Sequence, residues 1–151
     1  KTIIKLDKDF MSSFFNSYFN CFRNYFNFKD RSSRQEYIAF IIINPILLLI
    51  IERFTLIASI FYLIIFIPEI TVSIRRLHDV NYSGWFLITP YLFFIIALSF
   101  TYIGGNLFGT IGLVIGMLGI LSYLALAILM IFYKGDIGQN RFGNNKVIKK
   151  Q

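Results

Sequence analysis

Four long apolar segments constrain the fold of this chain more than any other feature of its sequence. A helix needs about 20 predominantly apolar residues to cross a bilayer core of about 30 Å. The composition agrees with a membrane location, since 56% of the residues are hydrophobic and 15% are charged, against about 45–50% and 25% in soluble domains. We therefore predict an all-α membrane protein with four transmembrane helices. The predicted spans are residues 34–52, 54–72, 85–103 and 107–133.

The turn between the first two spans, at Glu52 and Arg53, contains neither glycine nor proline. A continuous helix over residues 37–67 would be about 46 Å long, which exceeds the bilayer core and places an ion pair at its centre. With four spans, fourteen of the fifteen Lys and Arg residues fall on one side and Arg53 alone falls on the other. The positive-inside rule favours this arrangement, with both termini in the cytoplasm.

Residues 9–28 show a helical periodicity of polar and aromatic residues. A basic tail at residues 1–8 precedes them. Asn, Ser and Arg recur in residues 9–28 at the helical period, and aromatic residues fill the opposite side. We predict an amphipathic helix that lies in the membrane interface, where aromatic rings are favoured. The alternative is that this helix packs on the protein's own bundle or on a partner. Its many polar interruptions are unlike the apolar core of a signal peptide.

Three polar blocks border the spans within a membrane domain that we predict at residues 29–143. The first is the charged junction at residues 29–36, where Ser33 and Glu36 have the spacing of a capping box. The second is a polar segment at residues 75–85, within a predicted cytoplasmic loop at 73–84, and it holds the chain's sole histidine and tryptophan. The third covers residues 135–143 and precedes a basic tail at 144–151. Charges beside a bilayer are costly unless they are solvated, paired or functional.

These blocks resemble the domain-of-unknown-function family 805 of small bacterial inner-membrane proteins. The sequence YFNFKDRSSRQEY at residues 25–37 is similar to the family's F-x-G-R-x-S-R-x-E-Y-W, with Asp30 and Ile38 in place of Gly and Trp. Residues 75–85 (RRLHDVNYSGW) resemble R-R-L-H-D-x-x-x-S-G-W, and residues 135–143 (GDIGQNRFG) resemble G-x-x-G-x-N-R-[FY]-G. The resemblance implies a multi-span inner-membrane protein and supplies no established reaction.

With four spans, the three blocks are expected to meet at the cytoplasmic end of the bundle as an arginine-rich collar. Its arginines could pair with acids and lock the helix ends together, or bind an anionic headgroup, a phosphorylated ligand or a partner subunit. The candidate ligand-binding residues are Arg31, Arg34, Arg75, Arg76 and Arg141. The candidate ion-pair and hydrogen-bond residues are Glu36, Glu69, His78, Asp79 and Asn140, with Arg34 as the expected partner of Glu69.

The fourth span carries a face of small residues, formed by Gly109, Gly112, Gly116 and Gly119. Such a face lets another helix approach closely. We expect it to pack within the chain, and the alternative is a homodimer seam.

Catalytic, metal and cofactor sites are not predicted. One histidine and one cysteine supply no metal-ligand spacing, and neither a hydrolase elbow nor a Walker loop is present. His78 and Asp79 are adjacent, and adjacent residues on a helix do not face each other. The net charge of +7 indicates anionic lipid headgroups as the partner, and not nucleic acid.

The sequence thus predicts a non-enzymatic, membrane-embedded binding or assembly module. The second hypothesis is a small-solute or ion transporter that uses Glu69 and the arginines. The third is an enzyme that acts on a lipid headgroup.

Overall fold

The computed structural model describes residues 2–144, with side chains from Lys8 onward, so Lys1 and the predicted basic tail beyond residue 144 lie outside the described residues. Four helical segments are long and apolar enough to cross a membrane: Arg34–Ile51, Thr55–Asp79, Gly84–Ile103 and Asn106–Phe132. The predicted all-α, four-span fold is confirmed. The helices are α1 (Thr2–Arg23), α2 (Arg34–Ile51), α3 (Thr55–Asp79), α4 (Ile88–Ile103, preceded by a 3-10 turn at Gly84–Leu87) and α5 (Asn106–Phe132). Strands β1 (Gln139–Asn140) and β2 (Gly143–Asn144) form a short antiparallel hairpin.

The ends of the helices follow from local chemistry. Ser33 caps α2, since its side chain accepts the Glu36 N–H at 3.2 Å. Only this half of the predicted capping box forms, because the Glu36 carboxylate binds Asn20 and Ser32 instead of the Ser33 N–H. α2 ends at Ile51, so the predicted turn at Glu52 and Arg53 is present.

The polar segment at residues 75–85 is less of a loop than the sequence predicted. α3 continues through Asp79, and only residues 80–83 connect it to the 3-10 turn at Gly84–Leu87. The predicted loop at 73–84 was therefore too long. The last turns of α3 stay helical because their charged side chains find acceptors on neighbouring segments, as shown below, and need no exposure to water.

Helices α4 and α5 form a hairpin through three of the four glycines of α5. A Cβ atom on Gly112 would lie 2.8 Å from the Ala97 carbonyl oxygen, and one on Gly119 would lie 3.2 Å from Cβ of Phe93. Gly116 faces Ala97, whereas a Cβ on Gly109 would meet nothing within 4 Å. This glycine face is thus occupied within the chain, except at Gly109.

α1 packs across α2 and reaches α3. The Tyr18 hydroxyl donates to Oδ1 of Asn44 at 2.9 Å, and the Tyr25 hydroxyl donates to the Ile64 carbonyl at 2.8 Å. Cys21 is completely buried. The aromatic side is divided, since Tyr18, Phe14 and Phe22 contact the core while other rings are exposed, namely Phe10, Phe15, Phe19 and Phe26. The helix therefore packs on its own bundle, and contact of the exposed rings with the membrane interface stays a prediction.

Candidate functional site

Asp79, the last residue of α3, lies at the centre of a buried charge cluster. Its Oδ1 accepts a hydrogen bond from Nε of Arg31 at 3.0 Å and lies 2.9 Å from Nη2 of the same guanidinium. Its Oδ2 pairs with Nη1 of Arg76, one turn earlier on α3. Arg31 and Arg76 are 3% and 0% exposed. One carboxylate is therefore shared by two arginines that are shielded from solvent.

Backbone carbonyls satisfy the remaining donors of these two arginines. Arg31 donates to Gly138 at 2.6 Å, to Gly143 at 3.2 Å and to Asp136. Arg76 donates to Met130 at 2.9 Å and, further along, to Tyr133. The backbone N–H of Asp136 donates to the Asp79 carbonyl at 2.8 Å. All three polar blocks of the sequence are thus tied together, and we refer to Arg31, Arg76, Asp79 and the backbone carbonyls that bind these arginines as the collar.

Gly135 allows the collar to close. A Cβ atom built on this glycine would overlap Oδ2 of Asp79 and would lie 2.6 Å from its Cγ. Any side chain here would push the chain after α5 away from the carboxylate. The first glycine of the third block is therefore required by close approach to Asp79.

A second ion pair, between Glu36 and Arg75, ties α1 and α2 to α3. The Glu36 carboxylate accepts from Asn20 and Ser32, and Nη1 of Arg75 lies 3.7 Å from Oε2. Arg75 is 1% exposed, and its Nε and Nη2 make no hydrogen bond within the described residues. Burial, together with the neighbouring Glu36 carboxylate, raises the pKa of the Cys21 thiol to about 12. This thiol is therefore protonated and unreactive at neutral pH.

The third block folds back onto the end of α3. The Asn140 amide donates to the His78 carbonyl at 2.9 Å. The Phe142 ring lies parallel to the His78 ring at 3.9 Å, and the Arg141 guanidinium lies 4.7 Å from the Phe142 centroid. Arg141 also donates to the Asn81 carbonyl at 2.7 Å. These contacts form an Arg141–Phe142–His78 stack.

An apolar groove of about 480 Å³ runs beside this stack, between α3 and the start of α4. His78 and Phe142 form one end of the groove together with Ser83, and Trp85 is 77% exposed at its edge. The walls are apolar or aromatic and comprise Ile70, Ile74, Leu87, Ile88 and Tyr91. The groove therefore has apolar walls and hydrogen-bonding side chains at one end. Arg141 does not line the groove and lies against Phe142, which does.

Two predicted collar residues make none of these contacts. Arg34 is exposed at the first residue of α2, and within residues 2–144 it forms no ion pair with Glu69. The expected Glu69–Arg34 pair was wrong, because Glu69 lies ten residues before Asp79, about 15 Å along α3 at 1.5 Å per residue. Glu69 is thus set apart from the collar.

Sequence reasoning missed several partners. The carbonyls of Gly138 and Gly143 and the ring of Phe142 have no charge pattern that marks them as part of a site. The regular glycines of the third block were the one available signal, because they allow the chain to turn toward α3. The groove had no sequence signal, since its walls come from residues that look like ordinary span residues.

Comparisons with known proteins find a matching sequence family and related inner membrane proteins. A sequence-family model described as "Protein of unknown function (DUF805)" matches residues 25–144, which include all three polar blocks. The chain is similar to inner membrane protein YhaI of Escherichia coli, with 29% identity over 134 residues that cover 82% of this chain and 88% of the relative. It is also similar to inner membrane protein YhaH of Escherichia coli, with 27% identity over 93 residues that cover 52% and 77%. No solved structure gives a significant match.

Proposed function

This chain belongs to the DUF805 family of proteins of unknown function, and we propose that it is a membrane-embedded binding module for an anionic phospholipid. The relatives named above are inner membrane proteins. The protein itself is an integral inner-membrane protein with four candidate spans. The lipid's acyl chain occupies the apolar groove beside α3, and its phosphate contacts Arg141.

The observation that carries this proposal is the exposed Arg141 guanidinium, which lies 4.7 Å from the centroid of Phe142, a residue that lines the end of the groove. Among the described residues Arg141 donates only to the Asn81 carbonyl, so the rest of its planar fork is available to phosphate oxygens. Stacking on Phe142 holds the guanidinium in place without neutralising it. A cation next to an apolar groove matches the two parts of a phospholipid, its anionic phosphate and its acyl chain.

Two of the other arginines are poor candidates for the same role. Arg31 and Arg76 are buried and bound to Asp79 and to backbone carbonyls. A phosphate could reach them only by displacing Asp79 from two ion pairs. Their contacts support the structural interpretation of the collar, in which arginines and acids lock the helix ends together.

Replacing Arg141 by alanine is expected to reduce the preference for an anionic lipid about tenfold. Hydrogen bonds to charged groups contribute about 1.5–3 kcal/mol, and tenfold corresponds to about 1.4 kcal/mol. Native mass spectrometry of the purified protein, titrated with phosphatidylglycerol and phosphatidylcholine in separate series, measures this preference. Arg141→Lys should retain part of it, since lysine keeps the charge and loses the fork.

The matched control is Arg53→Ala, because Arg53 is an exposed arginine at the opposite end of the bundle. It should bind both lipids as the wild type does. Equal losses in Arg141→Ala and Arg53→Ala would mean that any surface charge attracts the lipid, and the groove would have no special role. A co-purifying protein that Arg141→Ala releases, with lipid binding unchanged, would favour a partner subunit instead.

The proposal includes an orientation, with the collar and both termini in the cytoplasm. It is supported by the charges, since Arg53 lies at one end of the bundle and the basic residues near the collar lie at the other, among them Lys29, Arg31, Arg34, Lys134 and Arg141. A membrane-impermeant maleimide added to intact spheroplasts should label Arg53→Cys, and should label Lys134→Cys only after lysis. The buried Cys21 can stay as an unreactive background in both variants. Labelling of Lys134→Cys in intact spheroplasts would reverse the orientation.

A further inference from the structure

Glu69 lies within the candidate span Thr55–Asp79 and has no ion-pair partner among the described residues. It is half-buried on α3, about 15 Å along the helix from Asp79. Glu69 therefore lies inside a helix that is long and apolar enough to cross a bilayer, whose hydrocarbon core is about 30 Å thick. No Lys, Arg or His nitrogen among the described residues lies within 4 Å of the carboxylate. A carboxylate inside a membrane span requires a proton or a cation.

Tyrosines surround this carboxylate. A cavity of about 210 Å³ beside Glu69 is lined by Tyr62 and Tyr123. The Tyr37 and Tyr91 side chains are also near enough to Glu69 to interact with it electrostatically. Each of the four spanning helices α2, α3, α4 and α5 thus contributes one tyrosine to the surroundings of Glu69. The other walls are mostly apolar and include Phe40, Leu48 and Ile65.

We propose that this cavity binds a small alkylammonium cation. The Glu69 carboxylate pairs with the ammonium group, the tyrosine rings contribute cation–π attraction, and the apolar walls contact the alkyl part. The cavity of about 210 Å³ is large enough for more than a single water molecule. An amine of a few carbon atoms fits this volume.

A metal cation fits these surroundings poorly. Hard divalent cations take six or more oxygen ligands, and Glu69 is the single carboxylate in the lining. The Asn44 amide, also in the lining, already accepts from Tyr18 and donates to the Phe40 carbonyl. Within the described residues, no three His, Cys, Asp or Glu side chains come together as a metal site. The alkyl-bearing cation is therefore the better match, and its binding is independent of the lipid groove.

Isothermal titration of the detergent-solubilised protein with n-propylammonium chloride tests the proposal, with sodium chloride at equal concentration as the reference. Saturable binding of propylammonium to the wild type is expected, with at least a tenfold loss in Glu69→Gln. Glu52→Gln, which neutralises an exposed glutamate at the end of α2, should bind as the wild type does. A wild type that responds equally to sodium and propylammonium overturns the proposal, as does an unchanged affinity in Glu69→Gln.

A second pair of variants separates the aromatic ring from its hydroxyl and serves if Glu69→Gln does not fold. Tyr123→Phe keeps the ring and should bind within about threefold of the wild type. Tyr123→Leu removes the ring and should lose about fivefold or more, in the range of cation–π attraction. Equal affinities of Tyr123→Phe, Tyr123→Leu and the wild type would contradict a cation–π contribution and overturn the proposal.

Discussion

Replacing Asp79 by asparagine is expected to destabilise the folded protein by about 3–5 kcal/mol, the usual cost of removing one partner from a buried ion pair. The effect should lie at the upper end of that range. Arg31 and Arg76 share this carboxylate, so a single neutral substitution leaves two buried guanidinium groups without a counter-charge. Asparagine has nearly the same shape, so the loss reports on charge and not on packing.

Thermal unfolding of the detergent-solubilised protein, followed by size-exclusion recovery after heating, measures this change. Glu52→Gln is the matched control, because Glu52 is an exposed acid with no ion pair among the described residues. It should change the free energy of unfolding by no more than about 0.5 kcal/mol, the usual range for a surface substitution. Similar midpoints for Asp79→Asn and Glu52→Gln would show that the collar does not hold the helix ends together.

Gly135→Ala is expected to have the second-largest effect on stability, about 1–3 kcal/mol or more. The added methyl group would overlap the Asp79 carboxylate, which two arginines hold in place and which therefore has little freedom to move. The same thermal assay measures the loss, and the stretch after α5 should become more accessible to protease because its anchor to α3 is weakened.

Gly109→Ala provides the matched control for this prediction. A Cβ atom on Gly109 meets nothing within 4 Å, and the residue lies inside α5, where alanine is favoured over glycine by about 1 kcal/mol. Gly109→Ala should therefore be neutral or stabilising. Equal changes in stability in Gly135→Ala and Gly109→Ala would contradict the close approach of Gly135 to Asp79.

The transmembrane architecture could be predicted from the sequence because it depends on the length of apolar segments and on loop charges. Both signals are local and additive, so even the turn at Glu52 and Arg53, which lacks Gly and Pro, could be placed correctly. The C-terminal end of α3 could not be predicted in this way. Arg75 to Asp79 look like loop residues in a linear sequence, and they stay helical because acceptors from α2 and from residues 130–143 surround them.

The charged residues of the collar could be recognised from the sequence, but their pairing could not. Most acceptors of Arg31 are backbone carbonyls, which every residue carries, so nothing in the sequence distinguishes Gly138 or Gly143 as partners. Glu69 was predicted to join the collar, with Arg34 from the first span as its partner. Helical geometry instead separates it by about 15 Å from Asp79 and places it among tyrosines from other spans.

These contacts divide the arginines by role. Arg31 and Arg76 are structural, since a carboxylate and several carbonyls already surround them. Arg141 is exposed beside an apolar groove and has unused donors within the described part of the chain. Any anionic ligand is therefore expected beside the collar and not inside it.

A density map of the protein in nanodiscs that contain phosphatidylglycerol tests this expectation most directly. We predict elongated density along Ile70, Ile74 and Ile88, with a phosphate about 3 Å from the Arg141 guanidinium. Phosphate density between Arg31 and Arg76, with Asp79 displaced, would contradict this division of roles. A groove that holds ordered protein side chains in place of lipid would contradict it as well.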